Sequence, residues 1–422
     1  MNTAGDVVRR IELPALLLLT AVIYSLGLAG PNATPAANEA SLIVPARTIA
    51  STGHDADGRR WPLFLHFAED VWQQPIPGYA VALSQGVAGE SVVAARAMSV
   101  AIAIVNVALL YLISRQLFAA RYLPLLCGFL LLATPLHLIE GRTARDTIYV
   151  LPFVLVWLLR MLTTVRRPGS ASPVWTGLWL GVGVFSATVA PLQMLLLLAL
   201  SIALLAGRNA AWRTDAAKMV AGFCAPLAVA VIWFALHPEA YGDTWGRWLI
   251  LKAHVRNPIE GIRATINWNT LATRTSTYWS LLNPATLFLP LEAGRADFSD
   301  KAAVFLSAVG VMLLIGIRQV IRTCDRATSM TLLGGLLLAP IAAATFGESN
   351  TLNRAMTIVP FVLLVGAFGL DSLMTSRVTA GRVLAVVLLV LMPLQFGRFY
   401  GYYRSADPGT ATLTIAPRAV LR

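Results

Sequence analysis

Glu39 lies in the run Ala37-Asn38-Glu39-Ala40-Ser41, directly after an apolar stretch that begins at Ile11. A carboxylate at such a membrane boundary can take a proton from an incoming hydroxyl, hold a cation, or simply face headgroup water. His66 and Asp70 are four residues apart. On a helix they share one face, which suits orienting an imidazole or lending two ligands to a metal, but no third ligand is identifiable. The stretch Glu140-Gly141-Arg142-Thr143-Ala144-Arg145-Asp146 lies between two apolar runs. A helix start here puts Arg142, Arg145 and Asp146 on one face, ready to clamp a phosphate, with a salt bridge to Glu39 or Asp70 as the structural alternative. Glu348, Asn350, Asn353 and Arg354 open a later apolar run. Arg354 at that entrance is a second contact for lipid phosphate, or an arginine snorkelling to phospholipid.

The chain that must position these groups has 422 residues, 57% of them hydrophobic and 13% charged, with a mean hydropathy of +0.68. An ordinary soluble domain carries about 25% charge, so a soluble enzyme and a disordered adaptor are both excluded. Apolar runs near the length of about 20 residues that crosses a bilayer recur from Ile11 to Phe396, which makes the chain an all-α polytopic membrane protein. The pattern predicts helices at 11–30, 91–114, 122–138, 147–163, 174–190, 191–207, 217–236, 301–317, 329–345, 353–371 and 382–397. Pro191 interrupts a continuous apolar stretch, and a tight turn there, rather than a kink, keeps the arginine pattern in phase.

The formal charge of +12 is distributed among short loops, the signature of membrane topology rather than of nucleic-acid binding. Arg9/Arg10, Arg115/Arg121, Arg160/Arg166/Arg167, Arg208/Arg213/Lys218, Arg318/Arg322/Arg326 and Arg377/Arg382 fall on one side, expected to be cytoplasmic. The first helix has no small-residue cleavage site and is expected to be retained, with the N-terminus cytoplasmic. Two segments on the opposite side, Pro31–Glu90 and His237–Asp300, are long and tryptophan-bearing, as suits interfacial helices. Within the second, Arg247, Lys252, His254 and Arg256 interleave with Trp245 and Trp248, a pattern of headgroup anchoring. Tyr400, Tyr402 and Tyr403 suit an aromatic belt. The expected organisation is a transmembrane module over 1–236 with its first external loop at 31–90, a second external loop at 237–300, and a C-terminal transmembrane module over 301–422 ending in a short external tail. Cys127, Cys224 and Cys324 are widely separated and imply neither disulfides nor a metal site.

In order, Asn38-Glu39-Ala40, Ser51-Thr52-Gly53-His54-Asp55, Trp61-Pro62-Leu63, Pro75-Ile76-Pro77-Gly78-Tyr79, Gly89-Glu90-Ser91 with Ala95-Arg96, Thr134-Pro135-Leu136-His137 through Glu140-Gly141-Arg142, and Asn353-Arg354 to Pro360 run through the chain. This series resembles the GT-C superfamily of polyprenyl-phosphate-dependent glycosyltransferases, in the bacterial branch similar to protein mannosyltransferases and the lipid A aminoarabinose transferase. The resemblance implies a GT-C bundle, of about eleven membrane helices by the apolar pattern; the Ala-, Leu- and Arg-rich composition suggests a bacterial inner membrane, and the arginine bias puts the long loops at the external, periplasmic face. It implies inverting transfer of a sugar from a polyprenyl-phosphate donor to a lipid, glycan or protein acceptor, with arginines holding the leaving phosphate. The motifs add Tyr79 and Glu140 to His66, Arg142, Arg145 and Arg354 as substrate-binding candidates. A monomer among membrane lipids is expected, with no nucleic acid and no cofactor; acidic residues cluster externally, but they form no complete ligand set for a divalent metal.

Relatives usually show Asp-Glu in the first motif, the Asp being the base; here that position is Asn38. An amide is no general base, so the resemblance passes the role to Glu39, Asp70 or Asp146. Glu39 is favoured for adjacency, while Asp146 matches the family's second acidic position. Asn38 would then orient sugar or acceptor. The competing readings are a non-catalytic, lipid-binding scaffold of the same fold and a transporter or lipid flippase. Internal duplication and midplane charges, which favour a transporter, are not visible.

Overall fold

The computed structural model describes residues 3–28, 35, 37–68, 71–166, 169, 171–207, 211–237, 268–289, 303–345 and 351–405. In chain order the elements are α1 (Thr3–Ser25), α2 (Ala37–Thr52), β1 (Leu65–Ala68), β2 (Val71–Gln73), α3 (Pro75–Ala88), α4 (Val92–Leu117), α5 (Tyr122–Ala133) and α6 (Pro135–Gly141). A 3-10 turn at Asp146–Val150 leads into α7 (Leu151–Arg166), then α8 (Pro173–Gly183), α9 (Ala190–Ala206) and α10 (Trp212–Leu236). After a gap in the described residues come α11 (Trp268–Leu282), α12 (Pro284–Phe288), α13 (Ser307–Thr323), α14 (Arg326–Thr345) and α15 (Thr351–Arg354). A second 3-10 turn, Ala355–Ile358, opens α16 (Val359–Met374), and α17 (Thr379–Ser405) closes the described chain.

Six of these helical stretches, among the described residues, are long and apolar enough to cross a membrane, or seven if the bent α5–α6 pair is one span. The expected run at 122–138 is therefore not one straight helix: α5 and α6 meet at 63°. Pro135 causes the break, since a proline has no N–H for the preceding turn and its ring disfavours helical backbone at Thr134, which is extended. The break expected at Pro191 falls earlier: α8 stops at Gly183, and Pro191 sits in the first turn of α9, where its missing N–H costs nothing. Ser91 sets the start of α4, its hydroxyl accepting from the Ala94 N–H at 3.1 Å.

The stretch Leu352–Met374 is the centre of the bundle, with 89% of its apolar window buried, against 22% for α10 and α17 at the periphery. In hydrocarbon there is little hydrophobic drive between helices, so close backbone contact has to supply the packing. Gly177 and Gly181 on α8 and Gly222 on α10 provide it: a Cβ on Gly177 would fall 1.8 Å from the Met219 carbonyl oxygen, and one on Gly222 2.2 Å from that of Val174. Gly316 on α13 and Gly369 on α16 form a second such seam.

The first loop folds over one end of the bundle as α2, a short antiparallel hairpin pairing His66 with Trp72, and α3. The Ile76 N–H donates to the Phe185 carbonyl at 3.2 Å and ties α3 to the segment after α8. At the other end, Gln116 near the end of α4 bonds Thr163 near the end of α7 at 3.2 Å. That end carries Arg115, Arg121, Arg322 and Arg326.

Candidate active site

Chain segments from α1 to α17 that are distant in sequence converge at the loop end of the bundle. Glu39, in the first turn of α2, is fully buried and so is Arg96, one turn into α4. Arg96 donates from Nε to Glu39 Oε1 at 3.0 Å and from Nη2 to Oε2 at 2.7 Å. Oε1 also accepts the Ala144 N–H at 2.9 Å. A bidentate guanidinium–carboxylate pair fixes planar geometry as well as charge. Here it fixes the backbone of the 142–146 loop to two helices.

That loop does not form the helix start that the spacing suggests. Arg142 is the C-cap of α6, Arg145 is extended, and Asp146 begins a 3-10 turn, so the three side chains diverge. Gly141 sets their origin: a Cβ there would stand 2.7 Å from the Tyr24 ring, so the chain passes closer to α1 than another residue allows. Arg142 donates from Nη1 to the Ile23 carbonyl at 2.9 Å and from Nη2 to that of Leu26 at 2.7 Å, satisfying acceptors at the end of α1. Its guanidinium stacks 5.2 Å from the centre of the Tyr403 ring. Tyr403 is therefore interior, 1% exposed, and not part of an aromatic belt.

Arg145 donates from Nη1 to Glu140 Oε1 at 3.0 Å, and the Thr147 hydroxyl bonds Glu140 Oε2. The alternative of a bridge from this arginine pair to Glu39 is not what forms: Glu39 pairs with Arg96 and Arg145 with Glu140. Arg96 and Arg145 lie close enough to bear electrostatically on the same phenol that Arg142 covers. The buried cluster therefore sets Arg96, Arg142 and Arg145 against Glu39 and Glu140. Arg142 makes no ion pair among the described residues. Arg145, 7% exposed, has Nε and Nη2 buried without a partner among the described residues. Buried guanidinium hydrogens left unbonded are costly, and an anion is the natural complement.

Asp146 is half-buried; its Oδ2 accepts from both the N–H and the hydroxyl of Thr188, each at 2.9 Å. The Ala355–Ile358 turn packs against Asp146–Val150. This brings Arg354 and the buried Asn353 toward the same end, and Asn353 Oδ1 has no partner among the described residues. Thr357 donates to Gln193 Oε1 or to the Ala339 carbonyl, each at 3.3 Å.

The remaining candidates lie in the first loop. His66 is on β1, not on a helix, so the spacing to position 70 defines no shared face; Asp70 itself lies outside the described residues. His66 Nδ1 is 2.8 Å from Asp57 Oδ2, and its ring stacks on Trp72 at 4.6 Å. Tyr79 bonds the Pro62 carbonyl and stacks on Trp61 at 6.2 Å. Burial, and secondarily Asp55, push its phenol up to about 12. Asn38 occupies the first turn of α2, with its side chain outside the described residues, as are Glu348, Asn350 and the Arg247–Arg256 cluster. No three His, Cys, Asp or Glu side chains converge as a metal site among the described residues.

Sequence reasoning missed Arg96 as Glu39's partner, Thr188 as Asp146's, and Tyr403. Arg96 had a usable signal, an arginine one turn inside an apolar helix, which demands a carboxylate. Thr188 and Tyr403 had none.

The family model for dolichyl-phosphate-mannose-protein mannosyltransferase matches residues 73–234. No curated protein sequence matches the chain. Among solved structures, ArnT from Cupriavidus metallidurans in the apo state is similar with a TM-score of 0.59 at 14% identity, over 98% of this chain and 77% of that one. ArnT bound to undecaprenyl phosphate gives 0.56 at 14% identity, over 97% and 77%. The archaeal oligosaccharyltransferase AglB from Archaeoglobus fulgidus, in complex with an inhibitory peptide and a dolichol-phosphate, gives 0.54 at 14% identity over 97% of this chain, which spans 57% of the length of AglB. The chain shares the all-α fold of ArnT and AglB, and its residues 73–234 resemble the dolichyl-phosphate-mannose-protein mannosyltransferase family.

Proposed function

We propose that this chain is an inverting glycosyltransferase that moves a sugar from a polyprenyl-phosphate donor to a hydroxyl or amine acceptor at the external face of the membrane. The observation that carries the reading is the surplus of buried guanidinium charge around Tyr403, with two unbonded nitrogens on Arg145. A lipid phosphate supplies both the missing counter-charge and the missing acceptors. The fold agrees, since AglB and ArnT have been solved with dolichol-phosphate and undecaprenyl phosphate respectively. The one-sided arginine loops support a cytoplasmic arginine-rich end and hence an external site.

In this reading the acceptor attacks the anomeric carbon from the face opposite the phosphate. The carbon–oxygen bond to phosphate breaks, and its electron pair stays on the phosphate oxygen, where Arg145 and Arg142 stabilise the growing charge. The acceptor proton passes to Asp146, whose Oδ2 is anchored by Thr188 and whose Oδ1 has no hydrogen bond to a described residue. Glu39, the other carboxylate available in the absence of an aspartate at position 38, already accepts three hydrogen bonds and holds the loop in place. Asn38 is left to orient sugar or acceptor through its amide.

The test is release of free polyprenyl phosphate from a panel of lipid-linked sugars, with varied acceptors, by the protein in bilayers. Release by the parent, lost in Asp146→Asn and retained in part by Glu39→Gln, is expected. Loss in Glu39→Gln with Asp146→Asn active returns the base to Glu39. No release from any donor by folded protein leaves the scaffold and transporter readings.

A further inference from the structure

A groove of about 800 Å³ opens between α1, α5, the end of α16 and α17, at the opposite end of the bundle from the arginine cluster. Its walls are Ile11, Leu16, Leu19, Leu126, Phe129 and Leu389. Its only polar lining residues are Glu12 and Tyr122, both at the arginine-rich end. Glu12 pairs with Arg121 at 3.2 Å and accepts from the Tyr111 hydroxyl at 3.3 Å. The Tyr122 hydroxyl donates to Asp371 at 3.5 Å, and Asp371 has no ion-pair partner among the described residues. Arg121 keeps 48% of its side chain exposed, and Arg377, exposed, follows three residues after the lining Met374.

We infer that this groove seats one zwitterionic aminophospholipid of the arginine-side leaflet, with its acyl chain along α1 and α5. The apolar length suits a hydrocarbon chain, for which a bilayer is the ready source. The charges at this end select the headgroup: Asp371, beside the lining Tyr122 and without an ion pair among the described residues, calls for an ammonium, while the half-exposed Arg121 presents a cation to a phosphate. A purely anionic headgroup satisfies the arginines and leaves Asp371 repelled. A second copy of the chain would cover the apolar walls but offers no reason for both charges at one end.

The experiment reconstitutes the full chain in vesicles of equal phosphatidylethanolamine and phosphatidylglycerol, solubilises it gently, and quantifies retained lipid by native mass spectrometry. A photoactivatable acyl chain on phosphatidylethanolamine maps the contact by peptide analysis. Crosslinks on α1 and α5 are expected, as is an about five-fold preference for phosphatidylethanolamine, the equivalent of one exposed ion pair. Ala15→Phe, which puts a ring into the path of an acyl chain, abolishes these crosslinks; Asp371→Asn keeps them and removes the headgroup preference. Thermal melting of both variants confirms that they are folded. The inference is overturned by equal retention of the two lipids in the parent, by crosslinks that survive Ala15→Phe, or by a dimer that buries the groove.

Discussion

Removing one member of the Glu39–Arg96 pair should cost far more than removing both. Glu39 is 0% and Arg96 3% exposed, so either single substitution takes the bidentate counter-charge away from a buried group. Breaking a buried pair in this way costs about 3–5 kcal/mol, whereas exchanging both partners for apolar residues of similar volume is often near neutral. Glu39→Leu also orphans the Ala144 N–H, a loss of about 1–3 kcal/mol that persists in the double variant. The expected order is Arg96→Met destabilised by about 3–5 kcal/mol, Glu39→Leu by about 4–8 kcal/mol with the orphaned N–H included, and Glu39→Leu/Arg96→Met by only about 1–3 kcal/mol. Reversible unfolding in mixed micelles of a mild and a denaturing detergent reads all four corners of the cycle. Singles within about 0.5 kcal/mol of the parent, the range of unremarkable surface changes, or a double variant costing the sum of both, would refute the reasoning.

Asp146→Asn should lower kcat by about 10²–10⁴-fold, the usual contribution of a general base, with the melting temperature nearly unchanged; this is checked by turnover and by thermal unfolding of the same sample. Arg145→Ala should weaken donor binding, and Arg145→Lys, which keeps charge but not the planar fork, should recover only part of it in a titration with the lipid phosphate. Gly177→Ala should destabilise by about 1–3 kcal/mol through overpacking against the Met219 carbonyl, measured as a lowered unfolding midpoint, whereas Gly397→Ala, which meets no neighbour, should not. Tyr79→Phe should cost about 0.5–1.5 kcal/mol by unmaking the bond to Pro62. Because the folded phenol titrates near 12, above its ordinary value of 10, the stability it contributes is present below pH 10 and is lost as pH rises toward 12. The parent–variant gap should therefore close at the alkaline end.

Apolar runs were legible in the sequence because hydrocarbon imposes length and hydropathy on every span. The short helices α8 and α9 and the bend at Thr134 were less so, since proline marks a discontinuity without saying whether the chain kinks or turns. The hairpin at Leu65–Gln73 was missed because two strands of a few residues carry no periodicity that outweighs a histidine and an aspartate at helical spacing. Within the site, the chemistry of Glu39, Glu140, Arg142, Arg145 and Asp146 was visible as residue types. Their assignments were not, because Arg96 is 57 residues from Glu39 and Thr188 is 42 from Asp146. Only packing decides which guanidinium meets which carboxylate.

Arg142 grips carbonyls of Ile23 and Leu26 on the first helix and faces the ring of Tyr403 on the last one described, spanning 119 residues to Ile23 in one direction and most of the remaining described chain in the other. Helices enter a membrane in order of synthesis, so the stack of Arg142 on Tyr403 forms only after α17 arrives. Among the described helices, α17 is the one that completes this contact. A ribosome stalled before Tyr403 leaves Arg142 bound to the carbonyls of the first helix but without its ring.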